Sequence, residues 1–248
     1  MSSPRIEVHE DATALAAAVA GELLLRLVDA QVDGGIPQIA LTGGGIAQDL
    51  HRELARLGPD SEVDWARVEV WWGDERFVAP DSPERNALDA RAAFLSVVGV
   101  PDAQVHEMPS TASAGSAEEG AAAYSQAVRE HGSGAFEVVM LGVGPDGHVA
   151  SLFPGHPALE VADRIATAVT DSPKPPPERI TLTLGALNRA RSVWFLVSGS
   201  AKADAVARAL GGTGEGGVAA DVHDVPAVGV TGQDETIWFL DRASASAL

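Results

Sequence analysis

Four short polar segments combine residue types that can bind an anion and activate water. They are Thr42–Gly45, Asp74–Arg76, Asp146–His148 and Ser198–Lys202. Glycines that open a helix let backbone N–H groups approach an anion at the positive end of the helix dipole, and the guanidinium of Arg76 offers a bidentate fork for phosphate or carboxylate. Without a ligand, the glycines would form only a tight turn, and Arg76 would pair with Asp74 or Glu75 at the surface.

His148 lies two residues after Asp146 in a glycine-rich segment. Imidazole is the side chain best suited to act as a general base at neutral pH. The other six of the seven histidines show no H-E-x-x-H motif and no pair three or four residues apart, so we interpret them as structural. A G-x-S-x-G motif and cysteine are both absent, which favours water activated by a base over a covalent intermediate.

Lysine is rare in this chain: Lys174 and Lys202 are the only lysines among 17 basic residues. Lys202 is predicted to begin a helix, where the dipole disfavours a cation unless an anion lies nearby. We therefore predict that Lys202 binds an anion.

Residues Gly142–Gly147 match the G-x-G-x-x-G dinucleotide fingerprint. That motif requires a helix several turns long after its last glycine, and Pro154 and Pro157 leave no room for one. We therefore expect neither NAD(P) nor any other cofactor, and no metal.

Short apolar runs alternate with stretches of helical period along the chain. The predicted strands are Ile6–Val8, Ile36–Leu41, Val68–Trp72, Phe136–Val143, Ile180–Leu184, Val193–Val197 and Thr236–Leu240, the last at an edge. Helices are predicted from Asp11 or Thr13, over Ile46–Leu57, over about Ala87–Val97 and from Lys202. This alternation is typical of a mostly parallel sheet with helices on both faces. Because the polar segments each follow a strand, they should meet in one crevice.

Three segments are predicted to be loops: Ser110–Gly120, Gly211–Gly217 and Asp171–Pro177, the last with four prolines. None of them separates halves of different composition, so we predict a single domain over residues 1–248.

Composition narrows the class of protein. Apolar residues make up 46% and charged residues 21% of the 248 residues, which indicates a globular protein. The absence of cysteine suits a reducing compartment. With 17 basic and 35 acidic residues the formal charge is −18, which disfavours nucleic acid as a partner. No apolar run approaches the roughly 20 residues of a membrane span, so we expect a soluble, cytoplasmic protein.

Five blocks of sequence together resemble the 6-phosphogluconolactonase family and cover roughly residues 36–210. They are LTGGG (Leu41–Gly45), WGDERFV (Trp72–Val78) with PERN (Pro83–Asn86), LGVGPDGHVASLFPGHPAL (Leu141–Leu159), DSPKPPPERITLTLGALNRAR (Asp171–Arg191) and VSGSAKADAV (Val197–Val206). The resemblance implies a modified Rossmann-like α/β fold, shared with glucosamine-6-phosphate deaminases and ribose-5-phosphate isomerases. It also implies metal-independent hydrolysis of 6-phospho-D-glucono-1,5-lactone in the oxidative pentose phosphate pathway.

The resemblance also assigns roles to single residues. It implies that His148 deprotonates the attacking water and that Asp146 orients His148 or holds a sugar hydroxyl. Substrate-binding roles, with the phosphate on the basic side chains, fall on Arg76, Lys202, Arg179, Gly44, Gly45, Asp74 and Gly144. The only expected partner is the small phosphorylated lactone, with neither nucleic acid nor membrane, and the expected state is a monomer.

Two other functions fit the same residues less well. A sugar-phosphate isomerase or deaminase of this fold would need a base over C1 or C2 of the sugar. A non-catalytic sugar-phosphate sensor in a transcription regulator should carry a basic helix-turn-helix, and this acidic chain has none.

Overall fold

The computed structural model describes residues 3–32, 34–211 and 220–248, and its strands form two sheets. The strands are β1 (Arg5–His9), β2 (Gln38–Leu41), β3 (Glu69–Trp72), β4 (Asp74–Arg76), β5 (Val138–Gly142), β6 (Ala166–Val169), β7 (Arg179–Leu182), β8 (Ser192–Val197) and β9 (Glu235–Asp241). The larger sheet has the order β1-β9-β8-β5-β2-β3, and all its pairings are parallel. The smaller sheet, β4-β7-β6, is antiparallel. The predicted mostly parallel sheet is confirmed.

Helices cover both faces of the larger sheet. They are α1 (Ala12–Gln31), α2 (Gly45–Leu57), α3 (Asn86–Ala90), α4 (Ser96–Val98), α5 (Ala117–His131), α6 (Leu184–Leu187) and α7 (Ala203–Leu210). A turn of π-helix, Arg91–Leu95, joins α3 to α4. Helices α1, α2 and α3 share one apolar core with the sheet, and α5, α6, α7 and the smaller sheet share the other. No helix of the described residues is long and apolar enough to cross a membrane.

The two cores explain why the strands appear in the sequence as continuous apolar runs. In β5, Val138 and Met140 belong to one core, and Val139 and Leu141 belong to the other. All four are fully buried. A strand covered on both faces needs apolar residues at every position, whereas a half-exposed strand would alternate.

The edge predicted at Thr236–Leu240 is wrong. Strand β9 lies inside the sheet between β1 and β8, and β1 takes the edge. Strand β1 has the more exposed residues, with Arg5, Ile6 and Val8 all open to solvent, as suits an edge strand. The last strand of the chain is not the last strand of the sheet, because β1 pairs with the outer side of β9.

The smaller sheet was not expected from the sequence. Asp74–Arg76, predicted only as a polar segment after a strand, is itself β4 and pairs with β7. The segment Ile180–Leu184, predicted as a strand of the parallel sheet, is antiparallel instead, and Leu184 already begins α6. Gly73 links the two sheets, since its N–H donates to Leu41 O at 3.0 Å and its carbonyl accepts from Leu182 N at 2.8 Å.

The loop predicted over Ser110–Gly120 is too long. Helix α5 begins at Ala117, where the Ser116 hydroxyl accepts from Glu119 N at 3.2 Å. This is the Ser-x-x-Glu pattern of a helix start, which the alanine- and glycine-rich composition obscured. The Asp171–Pro177 segment lacks regular structure, as predicted. Of the loop predicted over Gly211–Gly217, residues 212–217 lie outside the described residues.

Candidate active site

The carboxyl edge of the larger sheet holds a cavity of about 400 Å³. All four polar segments contribute to its lining. It includes Thr42, Gly44, Gly45, Asp74, Arg76, Asn86, Gly144, His148, Lys174, Arg179 and Lys202. The structure therefore brings His148 together with every residue that was predicted to bind substrate, whereas Asp146 lies behind His148 and lines a neighbouring cavity.

His148 is held by Asp146. The Nδ1 atom of the imidazole lies 2.5 Å from Asp146 Oδ1. Burial opposes ionisation of Asp146, but the hydrogen bond and charge of His148, with the charge of Lys174, hold the pKa of this carboxyl well below its usual range. An ionised Asp146 accepts the proton of Nδ1 and leaves Nε2 as the basic nitrogen, which has no hydrogen-bond partner among the described residues.

Two glycines shape the loop that carries this pair. A Cβ added at Gly144 would overlap both His148 Nδ1 and Asp146 Oδ1. Gly147 has φ +89°, a conformation that glycine adopts readily, and its N–H donates to Gly144 O at 2.9 Å. The lack of a side chain at Gly144 therefore leaves the space that the imidazole and the carboxylate occupy.

Helix α7 supports the same loop. Arg208 Nη2 donates to Asp146 O at 3.0 Å and to Asp224 O at 3.3 Å. The His148 ring also packs on Phe153, with ring centroids 4.6 Å apart. Arg208 could not be singled out from the sequence, because an arginine in a helix is most often a surface residue.

The amino-terminal end of α2 opens on the cavity. Gly44 has φ +94°, and Gly45 and Ile46, at the start of the helix, line the cavity. A Cβ at Gly43 would overlap the Asn86 amide. Within the described residues no side chain caps the helix, so its first N–H groups remain available to an anion. The run of glycines is thus explained by a close approach and by a positive φ, beyond any need for a turn.

Arg76 does not form the surface ion pair that was the alternative. Its Nη1 donates to Glu84 O at 3.1 Å and to Asn86 Oδ1, and its Nε is buried without a partner among the described residues. Glu75 instead accepts from the backbone N–H groups of Arg76, Asn86 and Ala87 at 2.8–2.9 Å. Burial raises the pKa of Glu75 against those hydrogen bonds. Glu75 therefore fixes the backbone at Arg76 without pairing with the guanidinium of Arg76, which lines the cavity.

Asp74 joins the loops around the cavity. Its Oδ2 accepts from the Ser151 hydroxyl at 2.6 Å, and its carbonyl accepts from Asn86 Nδ2 at 3.1 Å. Ala150, beside Ser151, has φ +48°, which is uncommon for a residue with a side chain. Asp74 thus fixes a strained turn of the segment that carries His148.

Arg179 is buried and most of its donors are already used. Its Nε donates to Pro176 O at 3.2 Å, and its Nη2 donates to Lys174 O at 3.0 Å and to Pro175 O at 3.2 Å. Burial lowers the pKa of Arg179. The guanidinium holds the proline segment in place at the cavity wall, a support that the sequence prediction did not include.

Lys202 is the freest of the cations. Its ammonium has neither a hydrogen bond nor an ion pair within the described ranges, and the turn before it is fixed by Gly199 N, which donates to both oxygens of Asp241 at 3.1 and 2.9 Å. Ser244 N also donates to Asp241 Oδ1 at 2.7 Å. Burial and the charge of Lys174 lower the pKa of Lys202, with Asp146 opposing. A half-buried cation without a partner is costly unless an anion binds beside it.

Lys174 was missed by the sequence prediction. Its Nζ lies 3.3 Å from His148 Nδ1 and 3.9 Å from Asp146 Oδ1. The rarity of lysine, used to select Lys202, applied equally to Lys174 and was the available signal. Its place in a proline-rich loop concealed the contact, because His148 is 26 residues away in the chain.

The arrangement can bind an anion and deprotonate water. Four cationic side chains, Arg76, Lys174, Arg179 and Lys202, line the cavity together with one carboxylate, Asp74. In the part of the chain that the structure describes, no group of three or more histidine, aspartate or glutamate side chains is placed to hold a metal ion.

Comparison with known proteins identifies a family for this chain. Residues 10–238 match the family model described as glucosamine-6-phosphate isomerases/6-phosphogluconolactonase. The chain is 44% identical over 254 residues to a 6-phosphogluconolactonase of Mycobacterium tuberculosis, with 99% of each chain covered. It is 42% identical over 255 residues to one of Streptomyces coelicolor, covering 99% of this chain and 95% of the relative.

A solved structure agrees with these sequence matches. The 6-phosphogluconolactonase of Trypanosoma brucei superposes with a TM-score of 0.82 at 27% identity, and the match covers 100% of both chains. The resemblance found in the five sequence blocks and the fold that it implied are both confirmed. The chain belongs to the glucosamine-6-phosphate isomerase/6-phosphogluconolactonase family.

Proposed function

We propose that the protein is a 6-phosphogluconolactonase, which hydrolyses 6-phospho-D-glucono-1,5-lactone to 6-phospho-D-gluconate in the oxidative pentose phosphate pathway. The observation that carries the proposal is His148, held by Asp146, in one cavity with Lys202 and Arg76. The ammonium of Lys202 and the buried Nε of Arg76 have no partner among the described residues. A basic nitrogen beside an anion site suits a phosphorylated substrate that is attacked by water. The relatives at 42–44% identity bear the same name.

In the proposed reaction, His148 Nε2 takes a proton from water while the water oxygen bonds to C1 of the lactone. The π electrons of the C1 carbonyl move onto its oxygen. The bond between C1 and the ring oxygen then breaks, and the ring oxygen takes the proton from the imidazolium to become the C5 hydroxyl. Asp146 stabilises the imidazolium through Nδ1, and the new carboxylic acid ionises and releases one proton to solvent.

The phosphate is held by Arg76, Lys202 and the free N–H groups at the start of α2. Gly44 and Gly45 let the anion approach those N–H groups, and Asp74 and Gly144 position the loops around the sugar. Binding of the phosphate positions the lactone over His148. The formal charge of −18 does not prevent this, because the cations lie within a Debye length of about 8 Å of the phosphate and dominate locally.

The proposal extends to the state of the protein. The whole chain acts as one domain and as a monomer in the cytoplasm, with a small molecule as its partner and neither a metal nor a cofactor. Light scattering on the purified protein tests the monomer, and activity after treatment with millimolar chelator tests metal independence. Activity lost to the chelator and restored by a divalent ion would disprove the metal-free mechanism.

The decisive experiment is stopped-flow measurement of acid release from freshly prepared 6-phosphogluconolactone. We expect release well above the spontaneous rate, and no turnover of glucosamine 6-phosphate, the substrate of a deaminase. Turnover of glucosamine 6-phosphate without lactone hydrolysis would assign the chain to the other activity of its family.

A further inference from the structure

We propose that Lys174 is a second catalytic residue, whose ammonium stabilises the negative charge that develops on the carbonyl oxygen of the lactone. This inference rests on the proposed lactone hydrolysis. It concerns a residue to which the sequence analysis assigned no role and which the general-base mechanism does not require.

The first argument is position. Lys174 Nζ lies 3.3 Å from the ring of His148 and lines the same cavity. The base must contact the water, and the water must contact C1, so a cation beside the base lies near the reacting carbon. The carbonyl oxygen on C1 is the atom that gains charge in this step.

The second argument is availability. His148 Nδ1 already donates to Asp146, so it offers no acceptor to the ammonium of Lys174. The contact with Asp146 Oδ1 at 3.9 Å is too long for a hydrogen bond. Apart from these contacts with His148 Nδ1 and Asp146 Oδ1, Nζ has no polar contact among the described residues, so its N–H donors remain available to a substrate oxygen.

The third argument is preorganisation. The Ser172 hydroxyl donates to Lys174 O at 2.9 Å and accepts from Lys174 N at 3.2 Å. Arg179 Nη2 donates to the same carbonyl at 3.0 Å, and prolines on both sides restrict the backbone. A donor that is fixed before the reaction stabilises a developing charge without reorganisation. This gives a reason for the hydrogen bonds that the buried Arg179 donates to the carbonyls of the loop.

The chemical step needs no further reactant. As water attacks C1, the carbonyl π pair becomes a lone pair on oxygen, and Lys174 donates a hydrogen bond to it while keeping its proton. When the bond from C1 to the ring oxygen breaks, that lone pair returns to form the carboxyl C=O. His148 alone moves the proton.

The test compares Lys174→Met with Lys202→Met. Two quantities are measured for each: kcat on the phosphorylated lactone, and the inhibition constant of glucitol 6-phosphate, which has the phosphate but no C1 carbonyl. We expect Lys174→Met to lower kcat about 10²–10³-fold, the usual effect of losing one oxyanion donor, and to leave the inhibition constant unchanged. Lys202→Met should raise the inhibition constant tenfold or more.

A second measurement separates catalysis from positioning. If Lys174 acted only by holding Asp146, its replacement would have no further effect in an Asp146→Asn background; we expect the same fold loss of kcat there. The inference is overturned if Lys174→Met keeps normal kcat, or if it raises the inhibition constant of glucitol 6-phosphate as Lys202→Met does. It is also overturned if the loss of kcat disappears when Asp146 is already asparagine. Absence of lactone hydrolysis by the wild-type protein would instead overturn the proposed function.

Discussion

The two edges of the larger sheet each carry a cavity with charged walls, and they differ in how those charges are used. The cavity at the carboxyl edge measures about 400 Å³ and the one at the amino edge about 680 Å³. The larger one is lined by Glu22, Arg26, Asp29, Glu137 and Arg191, among others. Size and charge alone would therefore select the wrong edge.

At the amino edge the arginines already have partners. Arg26 contacts Glu137 at 3.4 Å and also contacts Glu235, and Arg191 Nε contacts Glu137 at 3.6 Å. At the carboxyl edge, Lys202 and the Nε of Arg76 have none among the described residues. Donors without partners, next to a basic nitrogen, distinguish a site for a ligand from a solvated groove.

The largest effect is expected at His148. His148→Ala should lower kcat about 10²–10⁴-fold, the usual contribution of a positioned base. KM should stay nearly unchanged, because the proposal assigns phosphate binding to other residues. Steady-state kinetics with spontaneous hydrolysis subtracted measure both constants. Normal kcat with a raised KM would mean that the imidazole binds substrate and that another group activates the water.

Gly144→Ala should come next, although it removes no functional group. Its methyl group would overlap His148 Nδ1 and Asp146 Oδ1 and displace the pair, and a displacement of about 1 Å can cost on the order of 10²-fold in rate. Gly185→Ala is the matched control, because its Cβ would meet only Thr183 Oγ1 at 4.0 Å. Equal activity of the two variants would show that the loop yields without loss of geometry.

Replacement of the two side chains proposed to bind the phosphate should have a smaller effect. Arg76→Ala and Lys202→Ala should each lower kcat/KM tenfold or more, since loss of one charge-assisted contact costs about 1.5–3 kcal/mol. If both variants hydrolyse the phosphorylated lactone with the kcat/KM of the wild-type protein, the phosphate binds to other residues.

Binding of the product should depend on alkaline pH through Lys202. The lowered pKa of Lys202 means that its charge, and the affinity that the charge provides, is lost at a lower pH than for an exposed lysine. Calorimetric titration with 6-phosphogluconate between about pH 7 and 10 measures this loss. In Lys202→Arg, which stays charged over that range, the decline due to this residue should vanish; an unchanged decline would assign it to another group.

The smallest effect is expected at the amino edge. Arg26→Ala should leave kcat/KM unchanged and lower the free energy of unfolding by no more than about 1 kcal/mol, because its ion pairs are partly exposed to solvent. Urea denaturation and steady-state kinetics check the two statements. A clear loss of activity would contradict the functional difference between the edges.

The sequence was sufficient to find the six strands of the larger sheet, though not their order, and to predict that its polar segments meet. Apolar runs such as Val193–Val197 mark strands buried on both faces, and the carboxyl ends of parallel strands must share an edge. The smaller sheet was hidden because β4 is three residues long and entirely charged, so that it shows no apolar pattern.

The parts of the site that escaped prediction depend on contacts distant in sequence. Lys174 contacts His148 from a loop in which Arg179 holds the carbonyls of residues 174–176, and no local pattern encodes that folding of the loop. Arg208 likewise acts on a backbone carbonyl 62 residues earlier in the chain. Residue type indicated which groups can do chemistry, and tertiary packing decided which of them meet.

Asp241 connects the carboxyl-terminal turn to the segment that carries Lys202. It accepts from Gly199 N, while Ser244, which donates to it, also donates through its hydroxyl to Val197 O at 2.8 Å, so the last turn of the chain fixes the start of the Lys202 segment. Neither Asp241 nor Ser244 lines the cavity. In a genetic screen for reduced lactone hydrolysis, we therefore expect substitutions at these two residues that lower the affinity for substrate, although neither residue contacts it.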